Sequence, residues 1–160
     1  IQKNLDGIVT VADDDLITAF LDMVENHKMI VENSGLLTVA ALKKIGVAGK
    51  RVAAILSGGN MDVITMSSVV QQGLIFRNRI FTVSVRLPDK PGELCKVAQA
   101  IAAEQGNVIK LEHNQFVTTN RSAAVELRIT MESFGTEHKN QIMAALEKLQ
   151  YNPRLVQTNL

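Results

Sequence analysis

The run Asp89-Lys90-Pro91-Gly92-Glu93-Leu94 leads from an alternating strand into an amphipathic helix, and its residue types suit anion binding. Proline has a fixed φ and no amide hydrogen to lose, so Pro91 fits the first helical position. Gly92 has no Cβ, which lets a ligand or another backbone come close. Free N–H groups at a helix start carry partial positive charge and hold a carboxylate or phosphate. A small anion, such as an amino acid, is the expected ligand here. The competing reading is an ordinary strand-to-helix connection with glycine for close packing. A second run, Ser57-Gly58-Gly59-Asn60, also follows an apolar stretch and precedes a helix. Taken alone it is a structural turn.

Other reactive side chains carry less. His27, His113 and His138 share no ligand spacing, so they read as surface or satisfied core residues. Cys95 is the single cysteine; it lies inside an apolar helix pattern and is expected to be buried. Lys43-Lys44 reads as a solvated face. The chain of 160 residues is 46% hydrophobic, enough for real cores, and its formal charge is only +1. That charge, with no Lys/Arg cluster, argues against a nucleic-acid partner. No apolar run approaches a membrane span, and no signal-peptide pattern opens the chain. A cytoplasmic protein is expected. Ile1 is no initiator residue, so a longer parent is expected too.

The elements that must position these residues fall into two halves, 1–75 and 76–160. In the first, Ile8-Val9-Thr10-Val11 reads as a short strand, and Asp13-Asp14-Asp15 favours the dipole of a following helix. Leu16, Ala19, Phe20 and Met23 sit at helical spacing. A second helix is expected over residues 36–42. The apolar run at 51–56 suits a strand covered on both faces, followed by a helix over 61–72. The pattern implies α/β structure with a parallel sheet.

In the second half Phe81, Val83, Val85 and Leu87 alternate with polar residues, as on a half-buried strand. Leu94, Val97, Ala98 and Ile101 form a helix stripe that ends at Gly106. Residues 108–112 read as a strand and residues 118–121 as a polar turn. Val125, Leu127, Ile129 and Met131 alternate again; Ile142, Ala145, Leu146 and Leu149 make a second helix stripe; a short strand closes the unit at 154–157. The order β-α-β-β-α-β is ferredoxin-like.

On the strand leading into Asp89–Leu94 and on Gly106-Asn107-Val108-Ile109, residues 79–157 resemble an ACT domain, a ligand-sensing module attached to enzymes of amino-acid metabolism. The first half resembles the carboxy-terminal part of PLP-dependent threonine dehydratases (threonine ammonia-lyases) and their serine racemase relatives. Three landmarks carry this likeness: Ile8-Val9-Thr10-Val11-Ala12-Asp13-Asp14-Asp15, His27-Lys28-Met29-Ile30-Val31-Glu32-Asn33-Ser34-Gly35 and Ala54-Ile55-Leu56-Ser57-Gly58-Gly59-Asn60-Met61-Asp62. The resemblance implies a remnant of a PLP fold-type II α/β catalytic domain followed by a ferredoxin-like ACT domain, α/β and α+β in turn. It implies that Ser57 hydrogen-bonds the pyridine nitrogen of pyridoxal phosphate, with Gly58 and Glu32 beside the cofactor; as a bare residue Glu32 reads equally as a solvated loop carboxylate. It further implies an amino-acid effector touching Asp89, Pro91, Gly92, Glu93, Leu94, Asn107, Val108 and Ile109, and a homo-oligomer formed through the ACT-like sheet.

The family's Schiff-base lysine and glycine-rich phosphate loop have no counterpart here, so the chain alone is expected to be catalytically inactive and to hold no cofactor. The alternative is a non-sensing dimerisation module of another PLP fold-type II enzyme, such as a serine dehydratase or racemase. With its sheet incomplete, the half spanning 1–75 is expected to pack on a partner, swap between copies, or fray.

Overall fold

The computed structural model describes residues 4–114 and 125–159. The chain divides between Gly73 and Leu74 into two compact units.

The first unit is helical. Helix α1 spans Asp13–Asp22 and continues into a π-helical turn, Met23–His27, closed by Lys28 with φ 57°. The carboxylate of Asp15 reaches back to accept the Ala12 N–H at 2.8 Å, so the acidic run supplies a cap as well as charge. Helix α2 spans Asn33–Leu42. Helix α3, Val63–Phe76, starts where Asp62 accepts the Ile64 and Thr65 N–H groups at 2.9 Å, and it runs across the unit division. The core is Ala19, Phe20, Leu21, Met23, Val31, Leu36 and Ala40. A Cβ on Gly73 would lie 2.5 Å from Leu21 Cδ1, so glycine lets α3 approach α1. Lys43 pairs with Asp22 at 2.8 Å and Lys44 with Asp15 at 2.6 Å, which ties the end of α2 to α1; the pair is more than a solvated face.

The parallel sheet expected in this half is absent among the described residues. Residues 8–11 and 51–56 are irregular. A strand forms only beside another strand, since its backbone groups need a ladder. None stands beside these runs, and Ile8 and Ile55 are 78% and 79% exposed. Their apolar character marks surface that pairs with nothing in this unit.

The second unit follows the expected order. Strand β1 (Ile80–Leu87), helix α4 (Glu93–Ala103), β2 (Asn107–Asn114), β3 (Val125–Glu132), helix α5 (Thr136–Lys148) and β4 (Arg154–Val156) build a sheet ordered β2-β3-β1-β4. Every neighbouring pair is antiparallel. Phe81, Val83, Val85 and Leu87 face Val97 and Ile101 of α4 and Ile142 and Leu146 of α5, with Leu127, Ile129 and Met131 beside them. The other face carries the alternate residues, and there Thr82 and Thr130 share a hydrogen bond of 2.9 Å. The polar turn at 118–121 lies outside the described residues.

Three details depart from the sequence pattern. Helix α4 buries Val97 and Ile101, while Leu94 is 41% exposed and Ala98 also faces out. The apolar stripe was wider than the sheet it covers. Cys95 is exposed, one position round from that face. Pro91 is not in the first helical turn: Gly92 has φ 91°, a left-handed conformation no α-helix accepts, so α4 begins after it at Glu93. His138 is buried, accepting the Phe134 N–H at Nδ1 (3.0 Å) and bonding the Glu104 carbonyl through Nε2.

Ile142 is fully buried and touches both the α4 face and the Gly106 backbone, where a Cβ would meet its Cδ1 at 3.0 Å. Ile142→Ala is expected to lower unfolding stability by about 2–5 kcal/mol, read from urea denaturation of the second unit's signal.

Candidate functional site

The structure gathers one group of candidate residues closely. The Glu32 side chain packs on the Ser57-Gly58 turn. Its Oε2 accepts the Asn60 N–H at 3.3 Å, its Oε1 accepts the Ser34 hydroxyl, and its own N–H donates to the Gly58 carbonyl at 3.4 Å. Gly58 has φ 87°, and a Cβ there would fall 2.3 Å from Glu32 Cδ. From below, Gly35 of α2 closes on the same turn; a Cβ on it would lie 2.1 Å from the Ser57 carbonyl oxygen. Two glycines and one carboxylate thus shape the turn. Thr38 holds the approach to it, donating to the Ile55 carbonyl at 3.0 Å. The Ser57 hydroxyl is exposed and has no bond among the described residues, so it is available to a ligand. Ser34, Gly35 and Asn60 complete this constellation and were not legible as partners of Glu32. A contact 28 positions apart in sequence, such as Glu32 to Asn60, leaves no local pattern.

The joint before α4 is open. Asp89, Lys90, Pro91 and Gly92 are exposed, and nothing lies within 4 Å of a Cβ built on Gly92. No side chain caps the helix, so the first-turn N–H groups, those of Leu94 and Cys95 among them, lack the acceptors a cap would bring. Glu93 differs from its neighbours. Its carboxylate takes Lys96 Nζ at 2.7 Å and the Tyr151 hydroxyl, a tether from the helix start to the loop before β4. Tyr151 is the only tyrosine, and no signal in its local sequence pointed to this role.

Asn107, Val108 and Ile109 sit elsewhere. Asn107 and Ile80 are both level with Glu132, at the opening end of β1, and the Asn107 amide donates to Glu132 at 2.7 Å. The joint follows Leu87, at the other end of the same strand. At about 3.3 Å per residue the two groups are roughly 23 Å apart in one copy. A single chain does not unite the eight residues.

The antiparallel βαββαβ sheet with its glycine joint is that of an ACT domain, and the ACT domain family model matches residues 81–150. Beyond that segment the similarity continues: the chain is homologous to threonine ammonia-lyases. It is 32% identical over 154 residues to an L-threonine ammonia-lyase of Geobacter sulfurreducens, covering 94% of this chain and 38% of that protein. A Thermotoga maritima L-threonine ammonia-lyase is 29% identical over 157 residues, 98% of this chain and 39% of that protein. The biosynthetic L-threonine dehydratase IlvA of Haemophilus influenzae is 32% identical over 151 residues, 92% of this chain and 28% of that protein. The chain therefore spans less than two fifths of the length of these relatives. Among the described residues no helix is long and apolar enough to cross a membrane.

Two predictions follow from these contacts. Lys96 and then Tyr151 hold the Glu93 carboxyl below its ordinary 4.5; Glu93 in turn pushes the Tyr151 phenol above 10.0 and the Lys96 ammonium above 10.5. The contribution of Glu93 is present above 4.5 and fades as pH falls through its depressed value; those of Tyr151 and Lys96 are present below 10.0 and fade as pH rises through their raised values. Melting temperature against pH should show a plateau between, and Tyr151→Phe should shrink its fall on both sides. The second concerns Gly58→Ala, which puts a Cβ at positive φ and into Glu32. The strained φ alone costs about 1–2 kcal/mol. The Asn60 amide, bonded to Glu32, should then lose hydrogen-exchange protection.

Proposed function

We propose that the chain is the regulatory end of a PLP-dependent threonine ammonia-lyase, an enzyme converting threonine to 2-oxobutanoate and ammonia. Its ACT domain senses a free amino acid, and residues 1–75 complete the cofactor pocket of the whole enzyme. The observation that carries the sensing role is the open, uncapped joint at Gly92, in a unit whose strand β2 lies exposed at the edge of the sheet. Val108, Ile109 and Leu111 of β2 are 38%, 41% and 43% exposed, and the outer backbone edge of β2 has no strand beside it among the described residues. Antiparallel pairing of β2 with the same strand of a second copy brings that copy's Asn107, Val108 and Ile109 to the end of the sheet where Asp89 and Gly92 lie. The 23 Å separation within one copy then becomes proximity across a two-fold axis, with two equivalent sites. An amino acid fits such a seat: its carboxylate meets the N–H groups of the helix start, and its ammonium meets the Asp89 carboxylate.

Residues 1–75 suit a supporting role in the pocket. The cofactor, when bound, supplies an electron sink through its ring. The free Ser57 hydroxyl suits a neutral partner for the ring nitrogen. Gly58 keeps the turn thin, and Glu32 braces it through the Asn60 N–H. With no Schiff-base lysine motif in the present sequence, the chain by itself is inactive. The amino-acid ligand biases the remainder of the enzyme between more and less active states.

Calorimetry of the chain with isoleucine, valine, threonine and serine tests the sensing role. Heat with at least one of them at millimolar concentration is expected. Gly92→Leu should abolish the heat and leave the mass of the assembly unchanged. No heat with any of the four amino acids overturns sensing and favours a purely structural dimerisation module.

A further inference from the structure

The face of the sheet turned away from α4 and α5 holds a pocket that the sensing role does not use. Its volume is about 420 Å³, and its lining includes Ser84, Arg86, Glu126, Tyr151, Asn152 and Arg154. Strand register explains the grouping. Ser84 lies opposite Arg128 of β3 and opposite Arg154 of β4, and Arg86 lies opposite Glu126. All five residues therefore share one face, three cations against one carboxylate. That carboxylate is already engaged: Glu126 accepts the Ser84 hydroxyl at 2.6 Å and pairs with Arg128 Nε at 3.5 Å. Arg86 and Arg154 have no acidic partner among the described residues.

The far wall is held rather than loose. Tyr151 is tied to Glu93, and the residues on either side of it, Gln150 and Asn152, have φ 62° and 48°. Non-glycine residues held in that region tend to cluster where a fold shapes a ligand clamp. Two guanidinium groups on adjacent strands, at diagonal positions, can converge on one anionic group with several oxygens. The volume falls within the ordinary range for a small-molecule site.

We propose that this pocket binds a small metabolite through a carboxylate or phosphate group gripped by Arg86 and Arg154. Ser84 and Asn152 border the group, while the Ser84 proton and the Glu126 carboxylate stay engaged with each other. This site is distinct from the Gly92 joint: it lies on one face of a single copy and needs no second chain.

The test is titration of the isotope-labelled full chain with sodium phosphate and, separately, with sodium succinate, following amide resonances. Saturable shifts at Ser84 and Asn152 are expected with at least one anion, and whichever binds more tightly identifies the headgroup. Arg154→Gln and Arg86→Gln should each weaken binding by about tenfold, the worth of a charged hydrogen bond. Lys148→Gln changes the net charge equally but lies on α5, outside the pocket, and should leave affinity unchanged. Thermal melts confirm that each variant is folded; Arg154 is exposed, so its replacement is expected to leave the fold intact. No saturable shift with either anion overturns the proposal. So does equal weakening by Lys148→Gln, which would mean that the chain attracts anions only through net charge.

Discussion

The second unit depends on one pairing: eight residues of β1 laid antiparallel against eight of β3, from Ile80 opposite Glu132 to Leu87 opposite Val125. A strand has a side-chain period of two, so a slip by one residue would turn every side chain to the other face. The register sends Phe81, Val83, Val85 and Leu87 toward the helices and Ser84 and Arg86 away from them. It also fixes which features share an end of the sheet. Glu132 holds Asn107 at one end, and Leu87 delivers the glycine joint at the other. Core, outer-face charges and the separation of the Gly92 joint from Asn107 all follow from the same ladder.

The two units use glycine for related purposes. At Gly58 and Gly35 the missing Cβ makes space that another residue of the chain fills, by Glu32 and by the Ser57 carbonyl respectively. At Gly92 the space stays open, and the positive φ is what glycine permits. The first arrangement builds a braced turn; the second leaves an open joint. Tyr151 ties the start of α4 to the loop before β4, its hydroxyl bonding Glu93 while the residue packs against the core beneath the helices.

Much of the second unit was legible in the sequence because its signals are local. Alternation over 81–87 and 125–131 marks strands whose apolar side packs on the helices, although Thr82 and Ser84 on the other side of β1 are buried too, and the glycine joint falls where the strand ends. The first unit was less legible for a physical reason. Apolar runs at 8–11 and 51–56 have strand composition, but a strand is a relation between segments, and no neighbour is available to either run. Helix α2 was closer to a local rule, so it appears nearly as the pattern suggests; the helix expected over 61–72 starts later, at Val63, after the Asp62 cap. Cys95 and Leu94 are exposed because the apolar stripe on α4 is wider than the surface it meets. The tether at Tyr151 and the contact of Glu32 with Asn60 join distant residues through side-chain tips, which no periodicity records.

Strand β2 contains one irregularity: Val108 pairs with Met131 and Lys110 with Thr130, which leaves Ile109 as an extra residue. Val108 and Leu111 consequently face the same side although they are three positions apart, both opposite inward residues of β3. The strand thus carries spare length. In a regular strand the loss of a single residue inverts everything beyond it. Here, removing Ile109 would restore an unbroken alternation and leave every remaining pair in place. At this edge of the sheet, chain length can change by a residue without reversing which face is greasy and which is wet.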